Sequence, residues 1–254
     1  MLFEIFLTLA TLLCLGLVAF DKLFLRKSSA MFAKKRNIIL EYAYSFLPVL
    51  AIVLVLRTFV MEPFRIPSGS MRPTLLIGDF ILVNKSAYGL RLPILGTKLV
   101  ALGKPKIGDI VVFRQKSSGQ DIIKRVVGVP GSIIEYKNEQ LYVDNQLMKT
   151  EFVRKFYDDL LEIVESKEDL LGIEHYIYHY PHLAHRVHYN FTSVTVPNDC
   201  YFVMGDNRND SNDSRFGGFV YGDELLGKAV FTWLSIDTND GFKIRFTRFG
   251  KKIV

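Results

Sequence analysis

The sequence predicts two N-terminal apolar helices long enough to cross a bilayer, followed by a mainly β domain of antiparallel sheet that carries a small inserted α/β segment. Three observations lead there. Apolar residues crowd into two stretches before residue 61, a basic loop separates those stretches, and the chain beyond breaks into short β-branched and aromatic runs punctuated by Gly, Asp, Pro and Asn. The 254 residues are 49 % apolar and 23 % charged, values that exclude a disordered chain, a collagen-like repeat and a disulfide-stapled miniprotein. The length is enough to bury a sizeable core.

Residues 1–20 carry one charge, Glu4, and form about 30 Å of apolar helix, one bilayer thickness. A cleaved leader would want positive charge before its apolar run, whereas this start is acidic, so a retained helix is expected. Residues 42–60 make a second span, interrupted by Pro48 near its start and by Arg57 near its end, where a long side chain can reach the interface. Between them, residues 21–41 hold Lys22, Arg26, Lys27, Lys34, Lys35 and Arg36 against Asp21 and Glu41. The positive-inside rule puts that loop in the cytoplasm and residues 61–254 on the other side. The loop accounts for most of the net charge of +6 and leaves about +2 elsewhere, so no nucleic-acid partner is expected. With Cys14 inside an apolar stretch, no bridge to Cys200 is expected either.

Strands are expected over residues 79–84, 109–113, 122–129, 132–143, 200–204 and 225–234. The unbroken apolar run 110–113 implies burial on both faces, and Lys137-Asn138-Glu139 reads as a hairpin turn. Residues 150–191 differ from their flanks and are expected to be an insertion. Within it, residues 151–174 carry eight acidic and three basic residues, with Phe152, Phe156, Leu160, Ile163 and Val164 at roughly helical spacing, which predicts an amphipathic helix. All five histidines (His175, His179, His182, His185 and His188) follow it. They read as a polar surface stretch, the other reading being a metal or pH-sensing site; Pro181 breaks their spacing and no carboxylate or thiolate pattern joins them. No metal and no cofactor are expected.

The chain contains no phosphate loop, no Gly-x-Ser-x-Gly elbow, no His-Glu-x-x-His, no Cys-x-x-Cys and no Ser-x-x-Lys, which disfavours nucleotide hydrolases, α/β-hydrolases, zincins and penicillin-binding enzymes. The acidic run 206–213 lacks the Gly and Glu of a calcium loop. Directly after the second span, Ser68-Gly69-Ser70 stands between Pro67 and Pro73, a stiff loop that could present a hydroxyl or simply lead out of the membrane. A serine nucleophile needs a base, and with the histidines confined to the insertion the candidate is Lys124, in an apolar strand with Ile122 and Val126 on its face and Arg125 on the other. An ordinary lysine is neutral in roughly one molecule in 2,500 at pH 7; burial that lowered its pKa to about 8 would raise this to about a tenth. Standing alone, Lys124 could equally end a strand and reach water.

It does not stand alone. In chain order come Ser68-Gly69-Ser70-Met71, residues 78–85 (GDFILVNK), residues 108–113 (GDIVVF), Lys124-Arg125 with Gly128 and Pro130-Gly131, and residues 205–215 (GDNRNDSNDSR). Together these blocks closely resemble bacterial type I signal peptidase, also called leader peptidase, from the second span to about Trp233; the insertion is the least similar part.

The resemblance implies a catalytic domain of signal-peptidase type: a membrane-bound Ser/Lys endopeptidase that removes signal peptides from exported preproteins at the periplasmic face of the bacterial inner membrane. By position Ser70 would be the nucleophile and Lys124 the general base, with the Ser68 hydroxyl and the Ser70 N–H as oxyanion hole. Ser211 matches a serine that hydrogen-bonds the lysine, and Asp213, Arg215 and Arg125 match a charged network behind the site. Side chains matching Phe64, Ile66, Pro67, Met71, Leu75, Ile81, Val112 and Ile123 line shallow pockets for small residues in the family. Ile122 stands beside them where some relatives carry Tyr. Trp233 matches a region against the membrane, a core anchor being the bland reading. Implied partners are preprotein signal peptides, membrane lipid and proximity to the secretion translocon. Two other readings are a catalytically inactive membrane-tethered binding protein of the same fold, and a DNA-binding Ser/Lys repressor protease; the second has membrane spans where its DNA-binding helices should be.

Overall fold

Helix α1, Leu2–Phe20, continues through a wider turn at Asp21–Leu25, and helix α2, Ile38–Val55, continues the same way through Leu56–Val60. These elements belong to a computed structural model that describes residues 2–25, 37–91, 98–158, 160–183, 191–237 and 241–254. The chain divides into two compact units, Met1–Met61 with Gly89–Ala101, and Glu62–Tyr88 with Leu102–Val254.

In the first unit, Ile5–Phe24 and Ile38–Val60 are each long and apolar enough to cross a membrane. The second span starts one turn earlier than residue 42 because Ile38 and Ile39 extend the apolar run and the Asn37 side chain caps the helix, accepting from the Ile39 N–H. The first runs on past Phe20 because Asp21 is buried and accepts a hydrogen bond from the Tyr44 hydroxyl at 3.0 Å. Phe6, Leu13, Ile39 and Ile52 stand exposed along the two helices, the surface expected where the solvent is hydrocarbon. Of the basic loop, Arg26, Lys27, Lys34, Lys35 and Arg36 lie outside the described residues.

The second unit is built on antiparallel ladders. Numbering strands of four or more residues, they are β1 Met61–Arg65, β2 Asp79–Asn84, β3 Ile110–Arg114, β4 Asp121–Gly128, β5 Ile133–Lys137, β6 Gln140–Val143, β7 Lys149–Asp158, β8 Leu161–Leu170, β9 Ile173–His179, β10 Phe191–Thr195, β11 Cys200–Met204 and β12 Leu225–Asp237. The main sheet runs β1-β2-β12-β3-β4-β11, with Val220–Tyr221 beyond β11. The apolar run in β3 is shared between its two faces: Ile110 and Val112 enter one core with Ile66, Met71, Leu75, Ile81 and Ile123, while Val111 and Phe113 enter another with Val126, Tyr201 and Val203. A smaller sheet, β10-β5-β6 with Gln146–Leu147, closes a third core around Ile134, Tyr136, Leu141 and Phe202. Its β5–β6 hairpin turns at Asn138 and Glu139, both at positive φ (50° and 60°), as a two-residue loop requires.

The insertion departs from expectation. Residues 151–174 form no helix; β7, β8 and β9 make a three-stranded antiparallel sheet, so the inserted segment is β throughout apart from a short turn at Pro181–Leu183 among the described residues. The helical spacing misled because inward positions of β8 are charged or polar: Ile163, Glu165, Ser166, Glu168 and Leu170 are buried. An alternation that slips by one between Glu165 and Ser166, and is written partly in carboxylates, is hidden from any count of apolar residues. The histidine stretch is likewise not a polar surface throughout. His175 is buried and the His179 Nε2 is enclosed, while His182 is exposed; His185 and His188 lie outside the described residues.

Candidate active site

The segment between β1 and β2 carries Ser68 and Ser70 and is held from beneath. Met71 and Leu75 are fully buried in the core, acting as two plugs on either side of a turn. Asp79, at the start of β2, accepts the Leu76 N–H at 2.8 Å and the Ser235 hydroxyl at 2.6 Å, and pairs with Arg248. That Arg248 guanidinium also donates to the Thr74 carbonyl at 2.9 Å. A loop so pinned can hold a side chain in one place.

The place is next to β4. The Lys124 Nζ lies 2.7 Å from Ser70 Oγ and donates to the Ile123 carbonyl at 3.0 Å. Lys124 is 3 % exposed, whereas Ser70 is half-buried and open to an incoming group. Burial lowers the Lys124 pKa to about 8, overcoming the opposing fields of Asp213 and Asp206. The Ser70 N–H and the Ser68 hydroxyl have no acceptor or donor partner among the described residues, and Ser68 is exposed.

The segment from Gly205 to Arg215 supports this pair. Asn207 donates its N–H to the Ser70 carbonyl and its Nδ2 to the Gly69 carbonyl, each at 3.1 Å. A Cβ at Gly205 would come within 2.5 Å of the Ser70 carbonyl and 2.2 Å of Ser211 Oγ, so only glycine lets the two segments approach. Asp213 accepts from the Gly205 N–H at 2.9 Å, from Ser211 Oγ at 2.8 Å and from Arg215 at 2.8 and 2.9 Å. Burial alone would raise its pKa, but Arg215 and these donors hold it below the usual carboxylate range.

Two expected contacts are different here. Ser211 hydrogen-bonds Asp213 rather than Lys124, so it reaches the lysine only through the carboxylate it orients. Arg125 does not join Asp213 and Arg215; from the opposite face of β4 it makes a bidentate pair with Asp206, at 2.8 Å on both oxygens, and donates to the Gly108 carbonyl. Asp206 also accepts from the Thr74 hydroxyl. Asp206, Asn207, Thr74 and the Glu168–Arg208 pair escaped the sequence reading. Glu165 and Glu168 in β8 and His175 in β9, ionisable residues among the apolar positions of that segment, were the available signal.

Of the proposed lining residues, Ile66, Met71, Leu75, Ile81, Val112 and Ile123 share one buried core, with Phe64 packed on its edge and Pro67 exposed. Ile122 points to the other face, into the core of Val111, Phe113 and Val126, beside a cleft of about 240 Å³ that also touches Asp213 and Val220. Trp233 stands half-buried on β12 with its ring edge-on to Phe80 at 5.8 Å.

Comparison with known proteins shows the family. Residues 39–234 match the family described as signal peptidase, peptidase S26. The chain belongs to the S26 signal peptidase family. Within it, the signal peptidase I of Pseudomonas aeruginosa is 45 % identical over 213 residues, 79 % of this chain and 74 % of that one. The signal peptidase I of Buchnera aphidicola subsp. Baizongia pistaciae is 34 % identical over 269 aligned positions, covering 88 % and 86 %. A crystal structure of a signal peptidase I from Enterococcus faecalis V583 is 27 % identical, covers 50 % of this chain and 98 % of its own, and has a TM-score of 0.33. This member of the family is a signal-peptide-cleaving serine endopeptidase anchored by two apolar helices, and the inactive-tether reading is not favoured.

Proposed function

We propose that Ser70 is the nucleophile and Lys124 the general base of this peptidase, and that the chain cuts signal peptides from preproteins at the periplasmic face of the bacterial inner membrane. The observation that carries the proposal is the 2.7 Å contact between Ser70 Oγ and a lysine amine that is 3 % exposed. A neutral Lys124 takes the Ser70 proton as Oγ attacks the scissile carbonyl. The tetrahedral oxyanion forms against the Ser70 N–H and the Ser68 hydroxyl, two donors without partners among the described residues. Collapse breaks the C–N bond, the ammonium returns its proton to the departing amine, and an ester on Ser70 remains. Lys124, neutral again, then deprotonates the water that hydrolyses the ester.

Small side chains next to the cut are expected to lie against Phe64 and the exposed Pro67, over the apolar core of Ile66, Met71, Leu75, Ile81, Val112 and Ile123. Lipid around the helices and proximity to the secretion translocon follow from a membrane-embedded substrate. The test is cleavage of one preprotein by purified protein in detergent. Ser70→Ala and Lys124→Ala are each expected to fall by roughly a thousandfold or more, and Lys124→Arg to fail as well because guanidinium keeps its proton. Ordinary turnover by either alanine variant overturns the assignment.

A further inference from the structure

The inserted sheet carries buried charges toward the segment that supports the nucleophile. Glu168 on β8 is fully buried and grips Arg208 with both carboxylate oxygens, Nη1 to Oε1 at 2.7 Å. His175, its cross-strand neighbour on β9, sets Nε2 3.2 Å from the same carboxylate and 3.9 Å from Asp206. Tyr178, three residues on, donates its N–H to the Asp206 carbonyl and accepts the Arg208 N–H, both at 2.9 Å. The result is a parallel bridge between Tyr178 and Asn207. Asn207, bracketed on both sides, is the residue that holds the carbonyls of Gly69 and Ser70. The Arg208 carbonyl in turn accepts from Arg215, the partner of Asp213, at 2.7 Å.

A fully buried ion pair adds little net stability over apolar side chains of the same volume, because desolvation consumes what attraction returns. What a bidentate fork supplies is orientation. On the reading of Ser70 as nucleophile, we infer that the insertion is a clamp on the nucleophile loop, in which Glu168 is a positioning residue acting through Arg208 and Asn207 on the backbone of Gly69 and Ser70. The Ser70 N–H is the group that must meet the developing oxyanion, and a small drift of that donor weakens transition-state binding while leaving the apolar substrate contacts untouched. The loss therefore falls on kcat and spares KM.

The experiment is a double-mutant cycle on the full chain in detergent, with kcat and KM measured on one preprotein for Glu168→Gln, Asn207→Ala and the pair, and Ser70→Ala as the blank. Each single variant is expected to lose about tenfold or more in kcat with KM within about twofold, and the double variant to be no slower than the slower single. The pH midpoint of the rate should stay at the parent value, since the charges acting on Lys124 are Asp213, Asp206, Arg215 and Asp210, not Glu168. Should Glu168→Gln not fold, Arg208→Lys keeps the charge, loses the fork and takes its place in the cycle. The clamp is overturned by a kcat within about twofold of the parent in the variant that folds, or by single losses that multiply in the double. Cleavage by Ser70→Ala is a separate result: it removes the nucleophile assignment itself, and the clamp with it.

Discussion

At pH 7, with its pKa near 8, about a tenth of the Lys124 side chains are free to accept the Ser70 proton. Each unit of acidification below that point cuts the competent fraction about tenfold. We therefore expect kcat/KM to climb with pH and level off above about 8.5; a flat profile from pH 6 to 9, with chemistry limiting, would count against a lysine base. The same burial has a stability cost. Between about pH 8 and the ordinary lysine value the unfolded chain binds more protons than the folded one, so stability rises with pH through that window and the full penalty is present below it. Lys124→Met should accordingly raise stability at pH 7 by up to about 3 kcal/mol, an advantage that disappears near pH 11, as denaturant titrations at both pH values would read. Ser70 and Lys124 were legible in the sequence only through the ordered blocks that resemble the family; by local pattern alone the loop between the prolines could simply lead out of the membrane and Lys124 could end a strand in water. Arg125's choice of Asp206 over Asp213 was not legible, since two carboxylates seven residues apart compete for it and only the face of β4 decides.

The element that carries Ser70, the proposed nucleophile, is a loop fastened by hydrophobic plugs and by close backbone contact. Leu75→Ala empties a fully buried position and is expected to cost about 2 to 5 kcal/mol in unfolding experiments, with activity falling as the loop loosens. Gly205→Ala tests the second fastening: a methyl 2.5 Å from the Ser70 carbonyl must push the two segments apart, and kcat should drop by at least about tenfold with the fold retained. Strands were readable where their inward side chains are apolar on one or both faces, as in β2, β3 and β11, and the β5–β6 turn was readable because Asn138 tolerates positive φ. The insertion was misread because Glu165 and Glu168 occupy inward positions of β8, and their cationic partners, Arg154 and Arg208, lie on other elements.

For the molecule as a whole, the two candidate membrane spans were the most legible feature, because a predominantly apolar stretch of about twenty residues needs no tertiary partner to be recognised. The proposed orientation rests on the charge of the loop between the helices. Replacing Lys22, Arg26, Lys27, Lys34, Lys35 and Arg36 with Gln should invert part of the population, seen as loss of the protease sensitivity of residues 61–254 from outside spheroplasts. A different consequence follows from how far apart the titrations of this protein lie. Glu168, Asp206 and Asp213 keep their charges to well below the usual carboxylate range despite burial, so the stability they contribute lasts until the medium is strongly acidic. Lys124, by contrast, is silenced in mild acid. A passing drop to pH 5 can thus idle the proposed base, and turnover resume on neutralisation with no refolding in between.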